Sequence, residues 1–148
     1  SKSGLVVPGV ESMKMSLAHC CLPVYGDQII GYITRSEGVK VHRIDCPNIR
    51  NEKTKLIHVI WEDGDADRMY DSDLSIICND RPHLLTDIVN TISQCKVQLE
   101  SINVTVNHET LTSTVKVSMR VRNLEQMDNV FANIRKVESV LSVDRTTH

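Results

Sequence analysis

Aromatic side chains are nearly missing: one tryptophan, one phenylalanine and three tyrosines stand among 148 residues. A folded core in this chain is therefore aliphatic. No apolar run approaches the roughly 20 residues that a membrane-spanning helix needs. Leu5-Val6-Val7 is also too short an apolar region for a secretory signal, so no membrane partner is expected. An excess of positive charge is missing too. Lysine and arginine number 17 against 19 acidic residues, a net charge of −2, which argues against wholesale coating of nucleic acid. The cysteines number five, an odd count at spacings unlike a secreted disulfide framework. A cytoplasmic, reducing setting with free or metal-bound thiols fits that pattern. What remains is 41% apolar and 24% charged, ordinary values for one or two small globular domains.

Soft donors are concentrated in one place. Ala18-His19-Cys20-Cys21-Leu22-Pro23 is answered by Val41-His42-Arg43-Ile44-Asp45-Cys46-Pro47. Thiolates and imidazole suit a closed tetrahedral metal site. Adjacent cysteines are not the usual Cys-x₂-Cys chelate, however, because neighbouring side chains often point apart. The same residues also read as small apolar side chains of a metal-free knuckle. His19 is a substitute ligand or, more simply, a surface residue. Around the cluster Arg35, Lys40, Arg43, Arg50, Lys53 and Lys55 outnumber Glu37, Asp45 and Glu52. That stretch is a local basic surface or a plain solvated face.

Taken in order, residues 1–17 read as a lead-in from an upstream domain, since the chain opens without Met and Ser3-Gly4 and Pro8-Gly9 interrupt regular structure. Residues 18–62 read as the first compact domain. Ile29–Ile33 and Val39–His42 are strands, Cys46-Pro47-Asn48-Ile49 is a helical turn capped by Asp45, and Leu56–Trp61 is a further strand. Some 45 residues bury little core, and units this small usually need a metal, a disulfide or a partner. Residues 63–67 read as an acidic linker.

Residues 68–148 alternate more clearly. Leu74, Ile76 and Cys78 mark a strand. Leu84, Leu85, Ile88, Val89, Ile92 and Cys95 form one face of a helix. Val97–Val106 changes apolar phase once, which predicts a bulge near Glu100-Ser101. Asn107-His108-Glu109-Thr110 is a hairpin turn, and Val115, Val117, Met119 and Val121 face one way along the returning strand. Asn123 caps a second helix with Gln126 three residues on, and its buried face is Leu124, Met127, Val130, Phe131, Ile134 and Val137. Leu141 and Val143 close with a short strand. The order is β-α-β-β-α-β, a ferredoxin-like split βαβ whose second sheet face needs a partner or a polar coat. The fold class is α+β: a small β-rich, zinc-knuckle-like domain followed by a ferredoxin-like βαββαβ domain.

These segments carry a resemblance. Asn79-Asp80-Arg81-Pro82-His83-Leu84-Leu85 lies at the first strand–helix junction, where the second domain resembles an ACT domain. The first domain resembles the cysteine-containing zinc-finger-like (RIS) domain that precedes it in long RelA/SpoT homologues, the bacterial (p)ppGpp synthetase/hydrolases of the stringent response. The matching segments include Leu17-Ala18-His19-Cys20-Cys21-Leu22-Pro23, Gly26 to Thr34, and Gly38 to Pro47.

The resemblance implies a non-catalytic, C-terminal regulatory fragment whose catalytic domains lie upstream. Neither the family's hydrolase nor its synthetase signature is visible, and no nucleophile–base pair stands out. It implies zinc at Cys20, Cys21, His42 and Cys46. It implies docking on the ribosome (large-subunit RNA) with uncharged tRNA, with Arg35, Lys40, Arg43, Arg50, Lys53 and Lys55 on phosphates. It also implies control of the N-terminal catalytic domains and self-association as a homodimer. An alternative is sensing of a branched-chain amino acid at Asn79, Asp80, Arg81, His83, Leu84 and Leu85. Amino-acid-binding relatives usually carry glycine where this chain has His83, while Asp80 would cap the helix and Arg81 would hold a carboxylate.

Overall fold

The computed structural model describes residues 4–10, 13–62 and 67–148. Of the expected acidic linker, 63–66 lie outside the described residues, as does Ser3. The chain divides into two compact units, Ser1–Arg68 with Thr147–His148, and Met69–Thr146.

The first unit is built on a hairpin. Strand β3 (Ile29–Ile33) pairs antiparallel with β4 (Val39–Arg43), Ile29 opposite Arg43 and Ile33 opposite Val39. Thr34 closes the connecting turn: its hydroxyl donates to Gly38 O at 2.6 Å and accepts from the Glu37 N–H at 3.0 Å. Two short strands extend the sheet. Met15–Leu17 (β2) runs parallel to β4, and Leu56–Ile57 (β5) pairs with β3, giving the order β2-β4-β3-β5.

The stretch expected as a lead-in is therefore part of this domain. Besides β2, Leu5–Val6 (β1) pairs antiparallel with Ile60–Trp61 (β6). Leu5 and Val7 pack into one cluster with Val39, Val41 and Val59. The reason is coverage: the hairpin alone would leave the Val39–Val41 face in water, and the upstream apolar residues remove it. The single strand expected over Leu56–Trp61 is divided, because β5 pairs with β3 while β6 pairs with β1. Its alternation survives, with Val59 buried and His58 and Ile60 exposed.

The second unit has the expected topology. Strand β7 (Tyr70–Asn79), helix α1 (Leu84–Gln94), strands β8 (Gln98–Asn107) and β9 (Thr112–Val121), helix α2 (Leu124–Arg135) and strand β10 (Val140–Arg145) follow in order. The sheet is antiparallel throughout, ordered β10-β7-β9-β8. Leu74, Ile76 and Cys78 meet Val115, Val117 and Met119 in the core with Ile88 and Ile92 of α1 and Met127, Val130 and Ile134 of α2. The outward sheet face carries the polar coat: Asp71 opposite Arg120, Asp73 opposite Ser118, Ser75 opposite Lys116.

Local signals in this unit act through identifiable bonds. The register of β8 shifts between Leu99 and Ser101, where the apolar phase changes. The Asn123 side chain accepts from the Gln126 N–H at 2.8 Å, and Gln126 reaches back to the Arg122 N–H at 2.7 Å. Two apolar residues depart from expectation. Leu85, assigned to the buried face of α1, is exposed. Leu141 sits at a register irregularity between Val140 and Ser142 that leaves it in water. Among the described residues no helix is long and apolar enough to cross a membrane.

Gly31 is a position that only glycine fits. A Cβ there would lie 2.6 Å from Val39 Cγ1, 2.7 Å from Val59 Cγ2 and 2.8 Å from Ile57 Cγ2. Gly31→Ala is expected to destabilise the first unit by about 1–3 kcal/mol through overpacking. A lower urea midpoint for Trp61 fluorescence, with the second unit's transition unmoved, is the measurement; an unchanged midpoint would contradict the packing argument.

Candidate metal centre and ligand pocket

Four donors meet in the first unit. Cys20 Sγ lies 3.3 Å from His42 Nδ1 and 3.7 Å from Cys46 Sγ, and Cys21 Sγ lies 3.8 Å from His42 Nδ1. All four ligand atoms are within 4.8 Å of one another. A tetrahedral centre with metal–sulfur bonds of about 2.3 Å has sulfur–sulfur edges of about 3.8 Å. The Cys20–Cys46 separation matches that edge, and the cluster as a whole could hold a metal ion.

The local backbone explains how adjacent cysteines converge. Residues 18–22 form a turn in which the Leu22 N–H donates to Ala18 O at 3.1 Å. On such a helical turn neighbouring side chains diverge by about 100° rather than the 180° of a strand. Leu22 then takes φ 45°, a left-handed conformation uncommon for leucine, and Pro23 follows. His42 comes from β4, on the face opposite Val41. Cys46 opens a single 3₁₀ turn, Pro47–Ile49, in which it is itself the N-cap. Asp45, expected as that cap, instead faces Arg43 at 3.8 Å. Ala18, Cys21, Cys46 and Ile49 form a small core cluster with Cys20 and Ile30 against it.

Burial disfavours a free thiolate in this cluster. Burial pushes the Cys21 thiol up to about 12, with the Arg43 N–H pulling the other way and Cys20 and Cys46 adding to the rise. Burial, aided by Lys40, lowers His42 and keeps its imidazole neutral. Neutral imidazole is the ligating form. His19 is exposed and lies outside the cluster.

The six cations assigned to a basic surface separate into two groups. Arg35, Arg50, Lys53 and Lys55 are exposed, and half-buried Lys40 pairs with Glu37 at 3.5 Å. Arg43 does not belong with them. It is 9% exposed, its Nε–H donates to Cys21 O at 2.9 Å, and its N–H donates to Cys21 Sγ at 3.3 Å. The knuckle, not solvent, holds it.

The second unit has a pocket at the expected strand–helix junction. Its volume is about 360 Å³, and Asp80, Arg81, His83, Leu84 and Leu85 line it together with Thr86, Val104, Ser113 and Val115. Asn79 is not among the lining residues. The roles of the others differ from expectation. Asp80 does not cap α1; its carboxylate accepts the Ser113 hydroxyl at 3.1 Å. The N-cap is His83, with no side-chain cap bond, at φ 64°. Glycine adopts that left-handed backbone more readily than a residue with a Cβ. Arg81 is committed to its own chain: it meets Asp87 at 2.9 Å, Glu138 O at 3.1 Å and Pro82 O at 3.0 Å. The pocket's remaining character is apolar, since Leu85 is 42% and Val104 41% exposed. Ser113 was overlooked, although one serine in the alternation Ser113-Val115-Val117-Met119-Val121 is a visible signal.

Comparison with known proteins identifies both units. Residues 5–62 match the RelA/SpoT RIS domain and residues 66–145 match the ACT domain. The chain belongs to the RelA/SpoT family. A GTP pyrophosphokinase of Streptomyces coelicolor is 33% identical over 147 residues, covering 97% of this chain and 17% of the relative. The bifunctional (p)ppGpp synthase/hydrolase RelA of Mycobacterium tuberculosis is 30% identical, covering 97% and 20%. This RIS–ACT chain thus spans about a fifth of the length of the curated relatives it matches. Among solved structures, the ACT domain of a Chlorobium tepidum GTP pyrophosphokinase is 20% identical, with a TM-score of 0.47, over 53% of this chain and 99% of that one. The chain corresponds to the regulatory C-terminal region of RelA/SpoT-type proteins, and its RIS and ACT domains are regulatory rather than catalytic.

Proposed function

We propose that this RIS–ACT region is a docking and control module: a zinc-closed knuckle presents basic residues to ribosomal RNA and uncharged tRNA, and the region restrains the catalytic domains of the same polypeptide. The observation that carries the reading is the donor cluster with exposed cations nearby in the chain. Cys20, Cys21, His42 and Cys46 have the Cys₃His composition of structural zinc sites. Zinc there would supply folding energy to a unit of small core. Arg35, Arg50, Lys53 and Lys55 would neutralise phosphates, and Lys40 would join them if its pair with Glu37 opened. Such contacts make docking salt-sensitive, and shape-based reading of RNA helices requires no aromatic platform.

A second reading rests on the pocket at the start of α1. At about 360 Å³ it falls near the lower end of ligand cavities, which begin at about 300 Å³, and suits a small ligand. The helix N-terminus without a side-chain cap attracts a carboxylate, while Leu85, Val104 and Val115 offer an apolar wall to a branched side chain. Arg81 lines the pocket with three of its five N–H donors already engaged by Asp87, Glu138 O and Pro82 O. A branched-chain amino acid would then act through dimer or interdomain contacts. The outer strand β8 is the edge where a second copy could add.

Three measurements test these readings. Protein purified without chelator should carry close to one equivalent of zinc, and Cys46→Ser should lose it; well-folded wild-type protein without zinc would remove the metal. Ribosome binding should weaken as salt rises, and Lys53→Glu with Lys55→Glu should reduce the salt slope by about 1–2; unchanged binding would sink the docking role. Calorimetry with valine or isoleucine should give saturable heat that Val104→Asp abolishes. Absence of heat across the millimolar range would discard amino-acid sensing.

A further inference from the structure

Arg43 stands out once it is taken off the basic surface. Among the described residues it is the one buried lysine or arginine. Burying a cation is unfavourable unless it is paired and hydrogen-bonded. Its formal counterion, Asp45, is exposed and 3.8 Å away, a weak pair. The bonds that engage Arg43 more closely go to Cys21 from two directions: the main-chain N–H to Sγ at 3.3 Å and the side-chain Nε–H to the carbonyl oxygen at 2.9 Å. A single residue thus holds both the sulfur and the backbone of one cysteine in the vicinal pair.

The charge of a filled centre gives that arrangement a purpose. Three thiolates and a neutral imidazole around a dication sum to one negative charge. Cys21 and Cys46 are almost wholly buried, so water screens that charge poorly. The guanidinium is tied to the backbone of one of those cysteines by its Nε–H bond to Cys21 O, while Nη2–H reaches the Thr147 hydroxyl at 3.4 Å. Resting on the reading of Cys20, Cys21, His42 and Cys46 as a zinc site, we propose that Arg43 is its positioning residue, aiming Cys21 into the cluster and compensating the excess negative charge of the filled centre.

The test compares zinc affinity, by competition with a chromophoric chelator, for wild type, Arg43→Gln and Arg43→Lys in the whole chain. Loss of an outer-shell partner commonly lowers metal affinity by about 10–100-fold. Arg43→Gln is expected to fall in that range and to weaken the sulfur-to-cobalt charge-transfer band of the cobalt-substituted protein. Arg43→Lys, which keeps the charge, is expected to stay within about threefold of wild type. Gln at wild-type affinity with an unaltered cobalt band would overturn the assignment. Repeating Arg43→Gln on a Cys20→His background, where the filled site is neutral, separates charge from folding: the loss should shrink there, and an equal loss would overturn the compensating role. If Arg43→Gln does not fold, the wild-type Arg43 Nε–H nuclear magnetic resonance decides. It is expected to exchange slowly and to shift on zinc addition, and an unshifted, fast-exchanging signal would refute the proposal. Wild-type protein that binds no zinc would fail at the first measurement and remove the metal reading itself, an outcome distinct from wild type and Gln binding zinc equally well.

Discussion

The first domain depends on one turn. Residues 18–22 must curl back on themselves for two adjacent thiols to reach the same imidazole, and the Leu22 N–H to Ala18 O bond holds that curl. Left-handed backbone at Leu22 has an intrinsic cost of about 1–2 kcal/mol for a residue with a Cβ. The surroundings that offset it are the pieces of the knuckle: Cys21 gripped by Arg43, Cys46 buried on its 3₁₀ turn, and Ile49 and Ile30 packed beneath. Had the segment been extended, Cys20 and Cys21 would face opposite sides of a strand and the cluster would not exist.

Two small clusters lie on opposite faces of the first sheet. One is aliphatic, built from Leu5, Val7, Val39, Val41 and Val59; the other is the cysteine cluster with Ala18 and Ile49. Neither resembles the continuous core of the second unit, where two helices cover a four-stranded sheet. The division of labour follows from size. Small units bury too small a fraction of their surface to stand comfortably on apolar packing alone, and the four donors gathered in this one could hold a metal ion. The ACT domain has no such need, and Cys78 serves there as a small buried apolar residue.

How much of this was legible in the sequence varied with the range of the interaction. Alternation and 3.6-residue periodicity identified every strand and helix of the second unit, including the phase change in β8, because each signal is local and repeated. The cysteine cluster was also legible, through motif and donor chemistry. What was not legible depended on contacts between distant segments. Leu5 carries no local sign that it will pack on Val39 and Val41, so the lead-in was separated from a domain it helps to build. Arg43 read as a surface cation because it lies in a stretch rich in other cations, Arg35 to Lys55; only Cys21, 22 positions away, shows otherwise. Arg81 read as a ligand contact, and no local signal shows that Asp87, Glu138 and Pro82 engage three of its five donors. Asp80 looked like a cap, yet the left-handed His83 takes that place.

The pairing of β1 with β6 also fixes how the first domain is threaded into its polypeptide. The Glu62 N–H donates to Gly4 O at 2.8 Å, so the two ends of the segment from Gly4 to Glu62 adjoin at this ladder. A pull applied to those two ends would load that short two-stranded clasp before it reached the turn that carries Cys20 and Cys21.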